Sequence, residues 1–150
     1  TYSLFIASFP LNMNFHQITI QATVLADRKK AWTNYTEAKH ITQWNFASED
    51  WCCPTASNDL VVGGKFSWRM EAKDGSFGFD FEGVFTEIVP LEKLKYIFMD
   101  QREAEISFSD LPEGTLVQIV FDAENENSLE LQQAGWQSIL DNYKSHTEKS

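Results

Sequence analysis

Aromatic and polar side chains alternate along residues 65 to 85, and this alternation constrains the fold more than any other feature of the sequence. The apolar positions are Phe66, Trp68, Met70, Phe77, Phe79, Phe81 and Phe85. Successive side chains of a strand point to opposite faces, so a period of two predicts two strands that each have an aromatic face. The intervening Lys73-Asp74-Gly75-Ser76 is a hairpin turn sequence. The aromatic face must be buried against another element.

Further strands are predicted on both sides of this hairpin. Residues 16 to 24 alternate apolar and polar side chains, which indicates a half-buried first strand. Strands are also predicted over residues 94–99, 103–109 and 116–121, with turn sequences between them. Because neighbouring strands are joined by short turns, we expect an antiparallel sheet of about six strands.

The helices are predicted from capping residues and from a change of period. Asp27 can cap a helix through Tyr35, and Thr36 can cap a short second helix that ends before Trp44. Near the C-terminus, Asn127-Ser128-Leu129-Glu130 resembles a capping box. The apolar residues that follow share one helical stripe: Leu129, Trp136, Ile139, Leu140 and Tyr143. The predicted fold class is α+β: an antiparallel sheet curved around a long C-terminal helix, with two short helices after the first strand.

A single helix is too narrow to cover such a sheet. A helix is about 10 Å across, which is less than the width of six twisted strands. We therefore expect part of the aromatic face to line a cavity between the sheet and the C-terminal helix. The alternative stays open, because the same rings could fill the space as a solid core, each stabilising the fold by about 1.5–3 kcal/mol.

Charge and composition exclude several classes of partner. The formal net charge is −10, which repels nucleic acid and anionic membrane surfaces. No run approaches the roughly 20 apolar residues that cross a bilayer. Cys52 and Cys53 are adjacent, so they form no framework of disulfides between distant segments, and a reducing cytoplasm is the expected location. Residues 1–15 are interpreted as a leader or flexible segment, followed by one domain over residues 16–150.

The sequence carries no recognisable catalytic or cofactor-binding motif. The three histidines, His16, His40 and His146, belong to no recognisable motif and are interpreted as solvated surface residues. The two cysteines lack the further ligands of a structural metal site, and the glycines do not form a nucleotide-binding loop. We therefore expect no catalytic residue, no metal and no cofactor, and an enzymatic role is not the favoured one.

Three segments in order carry a family resemblance: AWTNYTEAKHITQW (31–44), GGKFSWRMEAKDGSFGFDFEGVFTEIVPLEKLKYIF (63–98) and GWQSILDNYKSH (135–146). They resemble the START-like (SRPBCC) superfamily and, within it, the AHSA1-like proteins, which are similar to activators of Hsp90 ATPase. The resemblance implies a helix-grip fold and makes residues 16–150 a single AHSA1-like START domain. The superfamily includes hydrophobic-ligand carriers, cyclase-like enzymes and co-chaperone domains, so the fold does not choose among them.

Two glycine positions match the family pattern and lead to physical predictions. Gly63 and Gly64 are expected to permit a sharp turn or a close backbone approach. Gly135 lies inside the predicted C-terminal helix, where glycine costs about 0.5–1 kcal/mol relative to alanine. Close packing at Gly135 would explain that cost, and valine there would then be destabilising.

The leading functional hypothesis is that the cavity binds a small hydrophobic molecule. The candidate ligand-binding residues are Trp44, Phe46, Trp51, Phe66, Trp68, Phe79, Phe81, Tyr96, Trp136, Leu140 and Tyr143. The polar groups that could orient a ligand are Tyr96, Tyr143, Gln133 and the indole nitrogens of Trp44, Trp68 and Trp136. Two alternatives remain: a co-chaperone-like interaction with an Hsp90-type ATPase, and a cyclase- or hydrolase-type enzyme that uses the same pocket.

Overall fold

A computed structural model describes residues 15–150, so the predicted leader or flexible segment lies outside the described residues except for its last position. The helices are α1 (Arg28–Thr36), α2 (Ala38–Trp44) and α3 (Leu129–Lys149). The strands are β1 (Gln17–Val24), β2 (Trp51–Cys52), β3 (Ala56–Asn58), β4 (Lys65–Ala72), β5 (Gly78–Val89), β6 (Lys93–Phe98), β7 (Glu103–Leu111) and β8 (Gly114–Asp122).

All the strands belong to one antiparallel sheet with the order β1-β8-β7-β6-β5-β4-β2, and β3 also pairs with β4. The α+β helix-grip fold is therefore confirmed. The sheet has two strands more than the six expected, because the segment after α2 pairs twice with β4. Trp51 lies opposite Ala72, and Ala56 lies opposite Trp68. Strands of two and three residues are too short to show a period.

The inner face of the sheet forms the core together with the three helices. β8 buries every second side chain, including Val117, Ile119 and Phe121. On β5, burial decreases towards the hairpin: Phe85 is 1% exposed and Phe79 is 42% exposed. Phe77, predicted on the aromatic face, precedes β5 and is exposed. The hairpin end of the inner face therefore reaches solvent.

The two short helices follow the prediction except at their junction. Asp27 caps α1, since its side chain accepts a hydrogen bond from the Lys30 backbone N–H at 2.8 Å. Thr36 was predicted to cap α2, and this is wrong: it is the last residue of α1, and Glu37 precedes α2. The Thr36 hydroxyl is buried and donates to the Trp32 carbonyl of the same helix at 2.9 Å.

Local hydrogen bonds fix the start of α3. The Ser128 hydroxyl accepts from the Leu131 N–H, as the capping sequence predicts. Gln132 is buried, and its amide bonds to both backbone groups of Glu124. The Glu124 carboxylate in turn accepts from the backbone N–H groups of Glu126 and Asn127, which lowers its pKa. The loop and the first turn of α3 therefore form one unit.

Further along, α3 is attached to the two short helices. The Tyr143 hydroxyl donates to the Ala31 carbonyl at 2.6 Å. The Tyr143 ring meets Tyr35 and Trp44 edge-on, with ring centroids 5.1 and 5.3 Å away. These contacts hold the C-terminal half of α3 against α1 and α2.

Two histidines also join α2 to α3. The Nδ1 atom of His40 lies 2.9 Å from Nε2 of His146. Both rings of this pair are partly buried, so the interpretation as solvated surface residues applies in full only to His16, which is exposed. Burial first, then His40 and Lys30, lower the pKa of His146.

The glycines differ in what surrounds them. Gly63 has φ +87°, in the region that favours glycine, and a Cβ on Gly64 would collide with the backbone carbonyl of Asp59. The predicted turn and close approach are confirmed. By contrast, a Cβ on Gly135 would have no atom within 4 Å, so the hypothesis of close packing there is wrong.

Within residues 15–150, none of the helices combines the length and the apolar character that crossing a bilayer requires.

We expect Gly135→Ala to increase the free energy of unfolding by about 0.5–1 kcal/mol, because alanine restricts the unfolded chain and meets open space in the helix. Urea denaturation measures this change. Gly64→Ala is the matched control and should be destabilising, because its methyl group meets backbone. A loss of stability in Gly135→Ala would contradict the open environment of Gly135.

The histidine pair predicts a pH dependence of stability. Because the folded protein lowers the pKa of His146, the unfolded chain takes up a proton first, and stability falls as the pH decreases below the ordinary histidine pKa of about 6.5. His146→Gln should weaken this fall between pH 7.5 and 5.5 in urea titrations. His16→Gln, at an exposed histidine, should keep the wild-type dependence. Identical pH profiles for His146→Gln and wild type would refute the assignment.

Candidate functional site

A cavity of ≈ 180 Å³ lies between the inner face of the sheet and α3. Its lining comes from the helices, from β4, β5 and β6, and from β8. The lining residues are Tyr35, Trp44, Asn45, Trp68, Met70, Phe79, Phe81, Tyr96, Ile119, Trp136, Ile139 and Leu140. The twelve side chains are aromatic or aliphatic except for the Asn45 amide, and none is ionised at neutral pH.

The sequence-predicted residues divide into two groups. Seven of them line the cavity: Trp44, Trp68, Phe79, Phe81, Tyr96, Trp136 and Leu140. Four lie outside its lining: Phe46, Trp51, Phe66 and Tyr143. Phe66 and Tyr143 are at most 1% exposed and belong to the core, where Phe66 packs on Trp68 and Phe85. The periodicity of the sequence predicted that Phe66 and Tyr143 face inward, but it could not predict that other side chains would cover them.

Trp136 of α3 covers the cavity on the side of β8. Its ring stacks on Phe121, with centroids 3.9 Å apart and an angle of 6° between the planes. Phe81 and Phe98 approach it from the other strands at 6.4 and 6.1 Å. Stacked and edge-on aromatic pairs each contribute about 0.5–1.5 kcal/mol beyond the area they bury. Trp136 thereby fixes the position of α3 above the strands.

The cavity is partly open to solvent, and Phe79 lies at its exposed end. Phe77, Phe79 and Trp51 form a cluster there, with ring centroids 6.0 to 6.2 Å apart. Trp51 and Phe77 lie outside the lining. The opening is therefore bordered by aromatic side chains of β2 and of the β4–β5 hairpin.

Most of the polar groups predicted to orient a ligand have partners within the protein. The indole of Trp44 donates to the Asn34 carbonyl at 2.9 Å, and that of Trp68 donates to Asn58 Oδ1 at 2.8 Å. Tyr143 donates to Ala31, and Gln133 is exposed. The two indoles and the Tyr143 phenol therefore serve the fold, whereas Gln133 lies outside the cavity lining.

Tyr35 and Tyr96 place two phenol groups at the cavity. Both side chains are buried, and burial raises the pKa of each phenol. Both phenols are consequently neutral at physiological pH. Tyr35 was not predicted as a site residue, because α1 gave no signal for which of its residues reach the cavity.

Sequence reasoning also missed Asn45, Met70, Ile119 and Ile139. Met70, Ile119 and Ile139 lie on the apolar faces of predicted elements, so the periodicity of the apolar residues could have identified them as site residues. Asn45 had no such signal. It follows the last residue of α2, and its backbone N–H bonds to the Ile41 carbonyl. A polar residue at a helix end is ordinarily solvated, yet Asn45 is 5% exposed.

The groups capable of metal or thiol chemistry lie apart from the cavity lining. Among residues 15–150, no three His, Cys, Asp or Glu side chains gather as metal ligands. Cys52 and Cys53 are free thiols, and burial raises the pKa of Cys53. A raised pKa keeps the Cys53 thiol protonated and weakly nucleophilic.

Solved structures resemble this geometry closely. An AHSA1-like protein from Aeromonas hydrophila is 42% identical, with a TM-score of 0.85 over 89% of this chain and 93% of the other. A protein from Cytophaga hutchinsonii is also 42% identical, with a TM-score of 0.78 over 89% of this chain and 92% of the other. A protein from Nitrosomonas europaea shares the fold at 16% identity, with a TM-score of 0.77 over 89% and 94% of the two chains.

No curated protein matches the chain. A family model described as activator of Hsp90 ATPase homolog 1-like protein matches residues 25–148, which include all three helices except the last residue of α3 and every strand except β1. The matched region also contains every residue that lines the cavity. The chain therefore belongs to the AHSA1-like family.

Proposed function

We propose that this protein binds a small, neutral, hydrophobic molecule in the cavity between the sheet and α3. The observation that carries the proposal is a partly open cavity lined by aromatic and aliphatic side chains with a single amide. Ligand sites are mostly apolar clefts with a few placed polar groups. The apolar lining supplies affinity, and the amide can orient the ligand.

The volume limits the size of the ligand. A cavity of about 150 Å³ lined by aliphatic and aromatic side chains binds benzene or xenon. The cavity here has ≈ 180 Å³, so it suits molecules of one ring or two fused rings. Larger ligands need the cavity to extend past Phe79, where it is open.

The lining also limits the charge of the ligand. No lysine, arginine or carboxylate belongs to it, so an ion would enter without a partner of opposite charge. Burying an unpaired ion is far more costly than burying a neutral polar group. The proposed ligand is therefore neutral.

We also propose a reducing compartment such as the cytoplasm as the location of the protein, because its two adjacent thiols are free.

The family description names another activity, which we retain as the alternative: a co-chaperone-like interaction with an Hsp90-type ATPase. It rests on that description. Stimulation of ATP turnover by the host's Hsp90 would support it. An enzyme of cyclase or hydrolase type would instead require turnover that a single cavity substitution abolishes.

Cavity filling tests the proposal. Ile139 of α3 is partly buried in the lining, and Ile139→Phe should occupy part of the ≈ 180 Å³. We expect this variant to weaken the binding of indene, a neutral two-ring hydrocarbon, by at least about tenfold, as the loss of several buried CH₂-sized contacts predicts. Titration followed by amide chemical shifts measures the dissociation constant.

Leu131→Phe is the matched control, because Leu131 lies on the same helix but is 61% exposed and outside the lining. It should bind indene like the wild type. The proposal fails if indene shifts only amides on the outer face of the sheet, or if both variants bind equally well.

A further inference from the structure

We infer that the ligand carries an N–H or O–H group that donates a hydrogen bond to Oδ1 of Asn45. This inference rests on the proposed function and specifies the chemical class of the ligand. It excludes purely hydrocarbon ligands as the preferred class, and it excludes carboxylates, whose oxygens would face an amide oxygen.

The first step is the burial of Asn45. The residue is 5% exposed and lines the cavity at the end of α2. A buried amide needs hydrogen-bond partners, because an unpaired polar group in an apolar environment costs about 1–3 kcal/mol. Asn45 therefore has either a structural partner for each of its atoms or a functional reason to lack one.

The second step is the orientation of the amide. Its Nδ2 lies 3.1 Å from Met70 Sδ and 3.8 Å from Cys53 Sγ. A thioether sulfur can only accept, so the nitrogen must face Met70. The Cys53 thiol donates to the Thr55 carbonyl at 3.5 Å, which leaves its sulfur lone pairs for Nδ2. These contacts assign the nitrogen to the sulfur side, so Oδ1 is the remaining amide atom.

The third step is the absence of a donor for this oxygen. None of the hydrogen bonds among residues 15–150 ends at Asn45 Oδ1. In the same region, Thr147 Oγ1 is the single side-chain oxygen or nitrogen that is both sealed from solvent and unpartnered. Asn45 Oδ1 is therefore not sealed by protein, and Asn45 is one of the residues that line the cavity. From these two observations we assign the cavity as the space from which a donor reaches this oxygen.

The fourth step compares the other polar groups of the lining. The indole N–H groups of Trp44 and Trp68 donate to Asn34 and Asn58, and an indole N–H group cannot accept a hydrogen bond. The phenols of Tyr35 and Tyr96 can donate as well as accept, and a neutral phenol oxygen is a weaker acceptor than an amide oxygen. An amide oxygen is consequently the strongest acceptor that the lining offers, and it selects a donor.

Indole and indene test this inference, because they have nearly the same shape and only indole has an N–H. Isothermal titration of both gives a ratio of dissociation constants for each protein. We expect the preference for indole over indene to be about tenfold greater in the wild type than in Asn45→Leu, which keeps the side-chain size and removes the acceptor. Gln137→Met removes an amide outside the lining and should retain the wild-type ratio.

A second measurement does not depend on the variant. In the wild-type protein, the N–H proton of bound indole should show nuclear Overhauser contacts to the Asn45 side-chain amide protons. The inference is overturned if the indole to indene ratio is the same in Asn45→Leu and wild type, or if the bound N–H shows contacts to other residues and none to Asn45. Either result leaves the proposed function standing when both compounds bind in the cavity. Binding of neither compound overturns the inference and the proposed function together.

Discussion

The placement of α3 over a sheet wider than itself is the constraint on which the rest of this structure depends. The contacts that hold the helix include the stacking of Trp136 on Phe121 towards its N-terminus and the bond from Tyr143 to Ala31 towards its C-terminus. Between these anchors α3 cannot approach all of the inner strands. Because the rest of the core is closely packed, small movements of the neighbouring side chains do not fill the uncovered region.

The polar groups around the cavity differ in whether they have hydrogen-bond partners within the protein. Buried polar groups are generally paired, because an unmade hydrogen bond costs more than a made one contributes. Trp44, Trp68 and Tyr143 obey this rule through bonds to α1 and to β3. Asn45 departs from it, because its nitrogen has only sulfur neighbours and its oxygen accepts no hydrogen bond from residues 15–150. The unpaired oxygen of Asn45 is therefore the physical basis of the functional hypothesis.

Local sequence patterns predicted the long strands and the C-terminal helix. The features that they missed depend on contacts between residues that are far apart in the sequence. Alternation was sufficient for β4 and β5, and the cap at Ser128 was sufficient for α3. Strand β2 has two residues, so it exists through its pairing with β4 rather than through a period. The solvation of His40 depends on His146, 106 positions away, and the burial of Asn45 depends on β4. The cost of glycine inside a helix favoured close packing at Gly135, but that cost carries no information on whether a distant neighbour lies nearby, and none does.

The central claim is that an apolar hollow persists beneath α3 in the folded protein. A crystal of the protein held under xenon pressure tests it most directly, because xenon enters dry apolar cavities without requiring a hydrogen bond. The account predicts a xenon atom among the rings of Trp68 and Phe81 and the side chain of Leu140. Electron density showing these side chains packed against one another, with xenon absent from that space, would contradict it.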